Sequence, residues 1–134
     1  MKNLLSIFVF LIFGAISGIT QNAPKTPFTT KDSLLCREWK MKSFERFGLE
    51  HSPEDKQKSD NIIFMRDIKM KIVKDGVTKT GTWSTDKYKT YINMVLDGNE
   101  KLMYKLMSVD DKELIYEYQE PSLIRTVFHF EAVK

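Results

Sequence analysis

From Glu38 to the C-terminus, apolar and polar residues alternate with a period of two. That is the spacing of strands, whose successive side chains point to opposite faces. Eight segments carry the alternation: 38–47, 61–66, 68–74, 77–85, 90–96, 100–108, 113–119 and 123–133. The breaks between them have a chemical cause. Asp75-Gly76 and Asp97-Gly98-Asn99 accept the positive φ angles that tight hairpins require. Asp86-Lys87-Tyr88 and Asp110-Asp111-Lys112 read as polar turns, and Pro121 ends a strand it could not continue. Only residues 51–60 form a longer loop. Connections this short pair sequential neighbours antiparallel. The predicted fold is all-β: an eight-stranded antiparallel up-and-down barrel that closes on itself and so removes its edges.

Alternation then assigns the faces. Ile68, Met70 and Ile72 are expected inside, opposite Lys69 and Lys71. Leu102, Tyr104 and Leu106 oppose Lys101 and Lys105, while Ile124, Thr126, Phe128 and Phe130 oppose Arg125, His129 and Glu131. Trp39, Met41, Ile62, Phe64, Trp83, Ile92, Met94, Leu96, Leu114, Tyr116 and Tyr118 complete the inward set. Lys40, Lys42 and Phe44, then Ile63 and Met65, then Lys69, Lys71 and Val73, are expected outside on three neighbouring strands. Together they would make a basic rim around an apolar patch at Ile63 and Met65. The patch is a candidate protein-partner surface, unless the N-terminal linker with Phe28 covers it.

The N-terminal stretch departs from the strand pattern. A basic start, Met1-Lys2-Asn3, precedes the apolar run from Leu4 to Phe13 and a small or polar tract from Gly14 to Thr20. The run is shorter than the roughly 20 apolar residues of a membrane span, and its layout is that of a secretory signal peptide. Cleavage is expected after Ser17 or Thr20, with an uncleaved anchor as the alternative. Export to the periplasm or the medium follows, and with no Cys near the cut the chain does not read as a lipoprotein. The expected domains are a leader (1–20), a polar linker with two Pro (21–33) in which Asp32 or Ser33 caps a short helical turn, and the barrel (34–134). Beyond the leader, 20 basic residues face 18 acidic ones, a balance that predicts no nucleic-acid footprint. Cys36 is the single cysteine, so no internal disulfide is available. It reads either as a buried thiol or as an intermolecular bridge; a monomer is expected.

Leu34-Leu35 ahead of a strand-opening Trp39, Gly81-Thr82-Trp83 midway, and hairpins to the end resemble the small secreted lipocalin-like domains of bacteria. The resemblance implies an eight-stranded barrel with an apolar interior that holds one small hydrophobic molecule. It matches Trp39 to the Trp of a Gly-x-Trp motif that plugs one barrel end, with Arg37 standing where Gly is expected. It also nominates Arg125 as the arginine that packs over that Trp.

A barrel of eight strands is just wide enough to be filled by its own side chains or to hold one small ligand. Bulky aromatics favour filling, whereas flexible Met side chains adapt to a guest. The candidate ligand-binding residues are Trp39, Phe64, Met70, Trp83, Met94, Leu106, Tyr116 and Phe128, as packing surface rather than chemical actors. Tyr118, Thr126 and Asn93 are the polar candidates for orienting a head group. The alternative is a filled barrel acting through its surface as an inhibitor or interaction module. No enzyme is expected, because His51 and His129 pair with no nucleophile in the strand layout. No cofactor is expected either: metal-ligand spacing of Cys and His is absent, as is a phosphate-cradling Gly loop.

Overall fold

A computed structural model describes residues 28–134. The leader read at 1–20 and residues 21–27 of the expected linker lie outside them. Among the described residues one helix, α1 (Thr30–Leu35), precedes nine strands. These are β1 (Glu38–Arg46), β2 (Leu49–His51), β3 (Asn61–Phe64), β4 (Lys69–Lys74), β5 (Val77–Thr85), β6 (Tyr91–Leu96), β7 (Lys101–Val109), β8 (Glu113–Gln119) and β9 (Arg125–Ala132). From β3 to β9 each strand pairs antiparallel with the next, and β1 pairs with both β3 and β9. That closes an eight-stranded barrel. The ninth strand, β2, folds back on the end of β1 with His51 opposite Phe44.

Four local features depart from the alternation pattern. The first is β2 itself: Phe47 and Gly48 take φ angles of 55° and 74°, so the chain reverses at the end of the segment expected over 38–47 and adds a short strand the pattern did not show. Gly48 supplies the conformational freedom for that reversal. The second is a β-bulge. Between Met41 and Ser43 the pairing with β9 slips by one residue, so that Met41 faces Phe130 and Phe44 faces Phe128. One extra residue turns everything after it to the other face. Phe44, expected outside, therefore shares the inner face with Phe128, their ring centroids 6.4 Å apart. A second slip between Leu106 and Ser108 brings Val109 opposite Leu114.

The third departure is Ile68, expected to be an inward strand residue. It sits in a turn at φ 65° and is 50 % exposed, its carbonyl accepting the Trp83 N–H at 2.8 Å. The fourth lies in the tract read as a linker, which is helical from Thr30 onward. Thr29, not Asp32 or Ser33, is the N-cap; its hydroxyl accepts from the Asp32 N–H while the Asp32 carboxylate accepts from the Thr29 N–H, a capping box.

Antiparallel order sorts the connections between two ends. At one end lie α1 and the β3–β4, β5–β6 and β7–β8 turns; at the other lie the β1–β2, β4–β5, β6–β7 and β8–β9 connections and the 52–60 loop. The first end is plugged. Leu35, Trp39, Ile62, Phe64, Met70, Ile92, Met94 and Leu114 are among its fully buried side chains. The Trp39 indole donates to the Leu35 carbonyl and the Trp83 indole to the Met65 carbonyl, each at 2.9 Å, so both buried N–H groups are satisfied. Asp32 is 3 % exposed and fastens α1 to the β5–β6 turn through Thr85 Oγ1 at 2.6 Å and Lys89 Nζ at 3.0 Å. The arginine over Trp39 is Arg37, its guanidinium 5.4 Å from the ring centroid and bonded to the Asp111 carbonyl at 2.7 Å. Arg125, nominated for that place, is exposed at the opposite end, paired with Gln119.

Candidate functional site

With one end packed, the space left in the barrel lies at the other. A cavity of about 280 Å³ opens there between β1, β4, β7, β8, β9 and the 52–60 loop. Its apolar and aromatic walls are Met41, Phe44, Ile72, Tyr104, Tyr116, Tyr118, Phe128 and Phe130. Its polar lining is Arg46, Glu54, Gln57, Asp60, Asn61, Lys74, Asp75 and Glu120. A second hollow of about 340 Å³ adjoins it, sharing Ile72, Lys74, Asp75, Tyr104 and Tyr118 and adding Val77, Lys79, Leu96, Glu100 and Leu102.

The aromatic wall is a continuous stack. Tyr104 and Tyr116 lie parallel with centroids 4.3 Å apart, and Tyr118 meets Tyr104 edge-on at 5.3 Å. Tyr116 in turn contacts Phe128 and Phe130, each at 5.3 Å. Rings locked against one another in this way make a stiff surface with little freedom left to lose on binding. Burial pushes the Tyr104 and Tyr116 phenols up, so both stay protonated at any ordinary pH.

The polar lining is built by the bulge and by the loop. Slippage at Ser43 turns Arg46 inward along with Phe44. Its Nη2 donates to Glu120 Oε1 at 3.0 Å and its Nε to Thr126 Oγ1 at 3.3 Å, and its guanidinium lies over the Phe44 ring. The loop turns back on itself through the Glu54 carbonyl, which accepts from the Gln57 and Lys58 N–H groups, and the Asp60 N–H then donates to the Gln57 carbonyl. That turn carries Asp60 into the wall, where only 3 % of it is exposed. Asp60 Oδ1 accepts the Asp75 N–H at 2.8 Å. Burial raises its carboxyl above the ordinary range, against the opposing pull of that hydrogen bond. Asp60 also adds to the upward push on Tyr116.

Of the eight residues nominated from sequence, the structure brings Tyr116 and Phe128 to this cavity. Trp39, Phe64, Met70, Trp83, Met94 and Leu106 sit in the packed core and line neither hollow. Of the polar candidates, Tyr118 lines both hollows, Thr126 is fully buried as the acceptor for Arg46, and Asn93 lies on the outer face of β6. Phe44, Arg46, Glu54, Gln57 and Asp60 were not nominated. The bulge hid the first two, and the loop reads as a solvated polar stretch because three of its wall residues are charged or amide. His51 stacks on Phe44, their ring centroids 5.2 Å apart. At the expected partner face, Ile63 is half-buried and Met65 exposed.

On the outer surface Ser43 and His129 are register partners. The histidine faces Glu45 at 2.9 Å through Nε2 and Glu113 at 3.6 Å through Nδ1, while the buried Ser43 hydroxyl has no hydrogen-bond partner among the described residues. The imidazole is thus engaged by carboxylates on this face.

No family model matches the chain, and no curated protein does. Among solved structures, a lipocalin-like protein from Bacteroides uniformis superposes with a TM-score of 0.57 at 17 % identity, over 75 % of this chain and 99 % of that one. The fold is that of a lipocalin-like barrel. In this chain eight antiparallel strands close between β1 and β9. In this lipocalin-like barrel the helix and two Trp side chains occupy one end, and the aromatic cavity occupies the other.

Proposed function

We propose that the protein is an exported carrier or scavenger that holds one small amphiphilic molecule in the open-end cavity. The observation that carries this reading is the contrast between the two barrel ends. One is filled by α1 and the buried indoles, while the other keeps a cavity of about 280 Å³ with aromatic walls and a charged rim. At roughly 30 Å³ per water volume that space corresponds to about nine waters. It falls just below the roughly 300–1,000 Å³ typical of sites for drug-sized ligands, so the guest is small, with about a dozen heavy atoms or fewer. Binding is driven by apolar burial against Tyr104, Tyr116, Phe128 and Phe130. Orientation comes from the polar groups at the rim. The guest therefore sits higher in the barrel, and is more polar at one end, than a purely hydrophobic ligand in the barrel centre would be.

Native mass spectrometry of residues 21–134, purified without denaturation from an export-competent bacterial host, tests the reading. A discrete extra mass is expected, released by organic solvent and absent from Ile72→Trp, whose indole fills the space shared by both hollows. A bare mass that stays unchanged after incubation with lipid and metabolite extracts would overturn it.

A further inference from the structure

We infer that the guest of this cavity is an organic ammonium: a small aliphatic or arylalkyl amine bound with its charged nitrogen against Asp60 and its hydrocarbon part on the aromatic wall. The inference rests on the proposed binding function and adds the chemical class of the ligand.

Charge is the first support. Four carboxylates line the cavity, Glu54, Asp60, Asp75 and Glu120, against Arg46 and Lys74. Arg46 is already committed to Glu120. Three acidic residues of the lining then stand against one lysine, Lys74, a balance that favours a cationic guest. Asp60 is the second and independent support. A carboxylate withdrawn from water is costly unless it is paired and hydrogen-bonded. Asp60 is 97 % withdrawn, yet among the described residues only its Oδ1 receives a donor, the Asp75 N–H. Oδ2 is left for a donor arriving through the cavity. The capping carboxylate of α1 shows the contrast, because Asp32 is equally buried but engages Thr29, Thr85 and Lys89.

The wall is the third support. Aromatic faces carry negative potential and attract cations within about 6 Å of the ring centroid. Phe44 already receives the Arg46 guanidinium at 5.9 Å, so the chemistry operates in this mouth. An anionic guest would meet Asp60 and the ring faces together, and a neutral one would leave the Asp60 charge uncompensated.

Isothermal titration calorimetry at pH 7 with two matched sets of probes tests the inference. One set is tryptamine, 3-ethylindole and indole-3-propionate; the other is octylammonium, octanol and octanoate. In at least one set the cation should bind about tenfold or more tighter than its neutral analogue, the value of about 1.4 kcal/mol of ion pairing, and the anion should give no heat. Asp60→Asn should erase that preference, so that the amine and its neutral analogue bind the variant within about twofold of each other. It keeps the Oδ1 acceptor for Asp75, and the wild-type comparison decides the matter even if the variant fails to fold. Neutral probes binding as tightly as the amines would overturn the inference while leaving the binding function standing. An absence of binding by all six probes, with no extra mass in native spectrometry, would overturn both.

Discussion

Asp32→Ala probes the device that closes one end of the barrel. The side chain is 4 % exposed and accepts from the Thr29 N–H at 2.7 Å, Thr29 Oγ1 at 2.9 Å, Thr85 Oγ1 at 2.6 Å and Lys89 Nζ at 3.0 Å. Removing one member of a buried ion pair costs about 3–5 kcal/mol, because the other charge is left without compensation. Loss of a helix cap costs about 1 kcal/mol. The two share atoms and do not add in full. Lys89 is 12 % exposed and long enough to lift its ammonium toward water, which trims the cost. The expected loss is about 3 kcal/mol, a large share of the roughly 5–15 kcal/mol that holds a small domain together. Urea unfolding at pH 7 measures it through Trp39 and Trp83 fluorescence, since both indoles belong to the closed end. Lys89→Met in both backgrounds completes a cycle, with an expected coupling of about 1 kcal/mol or more. A loss below about 1 kcal/mol, or strictly additive single changes, would refute the idea that this pair seats the helix. The pH dependence has a definite sign. Burial alone would raise the carboxyl, but the hydrogen bonds from Thr85, Thr29 and Lys89 outweigh it and hold Asp32 below its ordinary value of 3.8. A depressed pKa means that its contribution is fully present above pH 3.8 and fades as pH falls through the lower folded value. The difference between wild type and variant should therefore hold constant near neutrality and shrink only in acid.

Two further outcomes follow from the backbone and from the cavity wall. A Cβ at Gly81 would press on the Val95 carbonyl and come within 2.8 Å of Leu96 Cα. Because the obstruction is the backbone of β6, Gly81→Ala should cost about 2–4 kcal/mol, read as a lower urea midpoint. Asp60 carries the opposite sign to Asp32: its carboxyl is raised by burial, so ionisation destabilises the folded state increasingly as pH climbs from 3.8 through the folded value. Asp60→Asn should accordingly raise the urea midpoint at pH 7 and leave it unchanged near pH 3. A fall at pH 7 would mean that the carboxylate is structural.

The barrel was legible in the sequence because a strand's two faces differ in hydrophobicity, and eight alternating runs separated by Asp-Gly and polar turns admit few other folds. Met70, Ile72, Met94, Tyr104 and Leu114 lie inside as their alternation with charged or polar neighbours demands. Alternation is a local rule, however, and fails wherever one residue is added without changing composition. The bulge after Met41 left no mark in the pattern, yet it decided that Phe44 and Arg46 line the cavity. Sequence likewise identified large inward side chains without saying at what height they sit. Tertiary packing placed Trp39, Phe64, Met70, Trp83 and Met94 in the sealed portion and left Tyr116 and Phe128 facing open space. Asp60 was the least legible residue of all. A carboxylate at the end of a polar loop reads as solvated, and only the closure of that loop over β4, with the Asp75 amide as its anchor, takes it out of water and makes it part of a site.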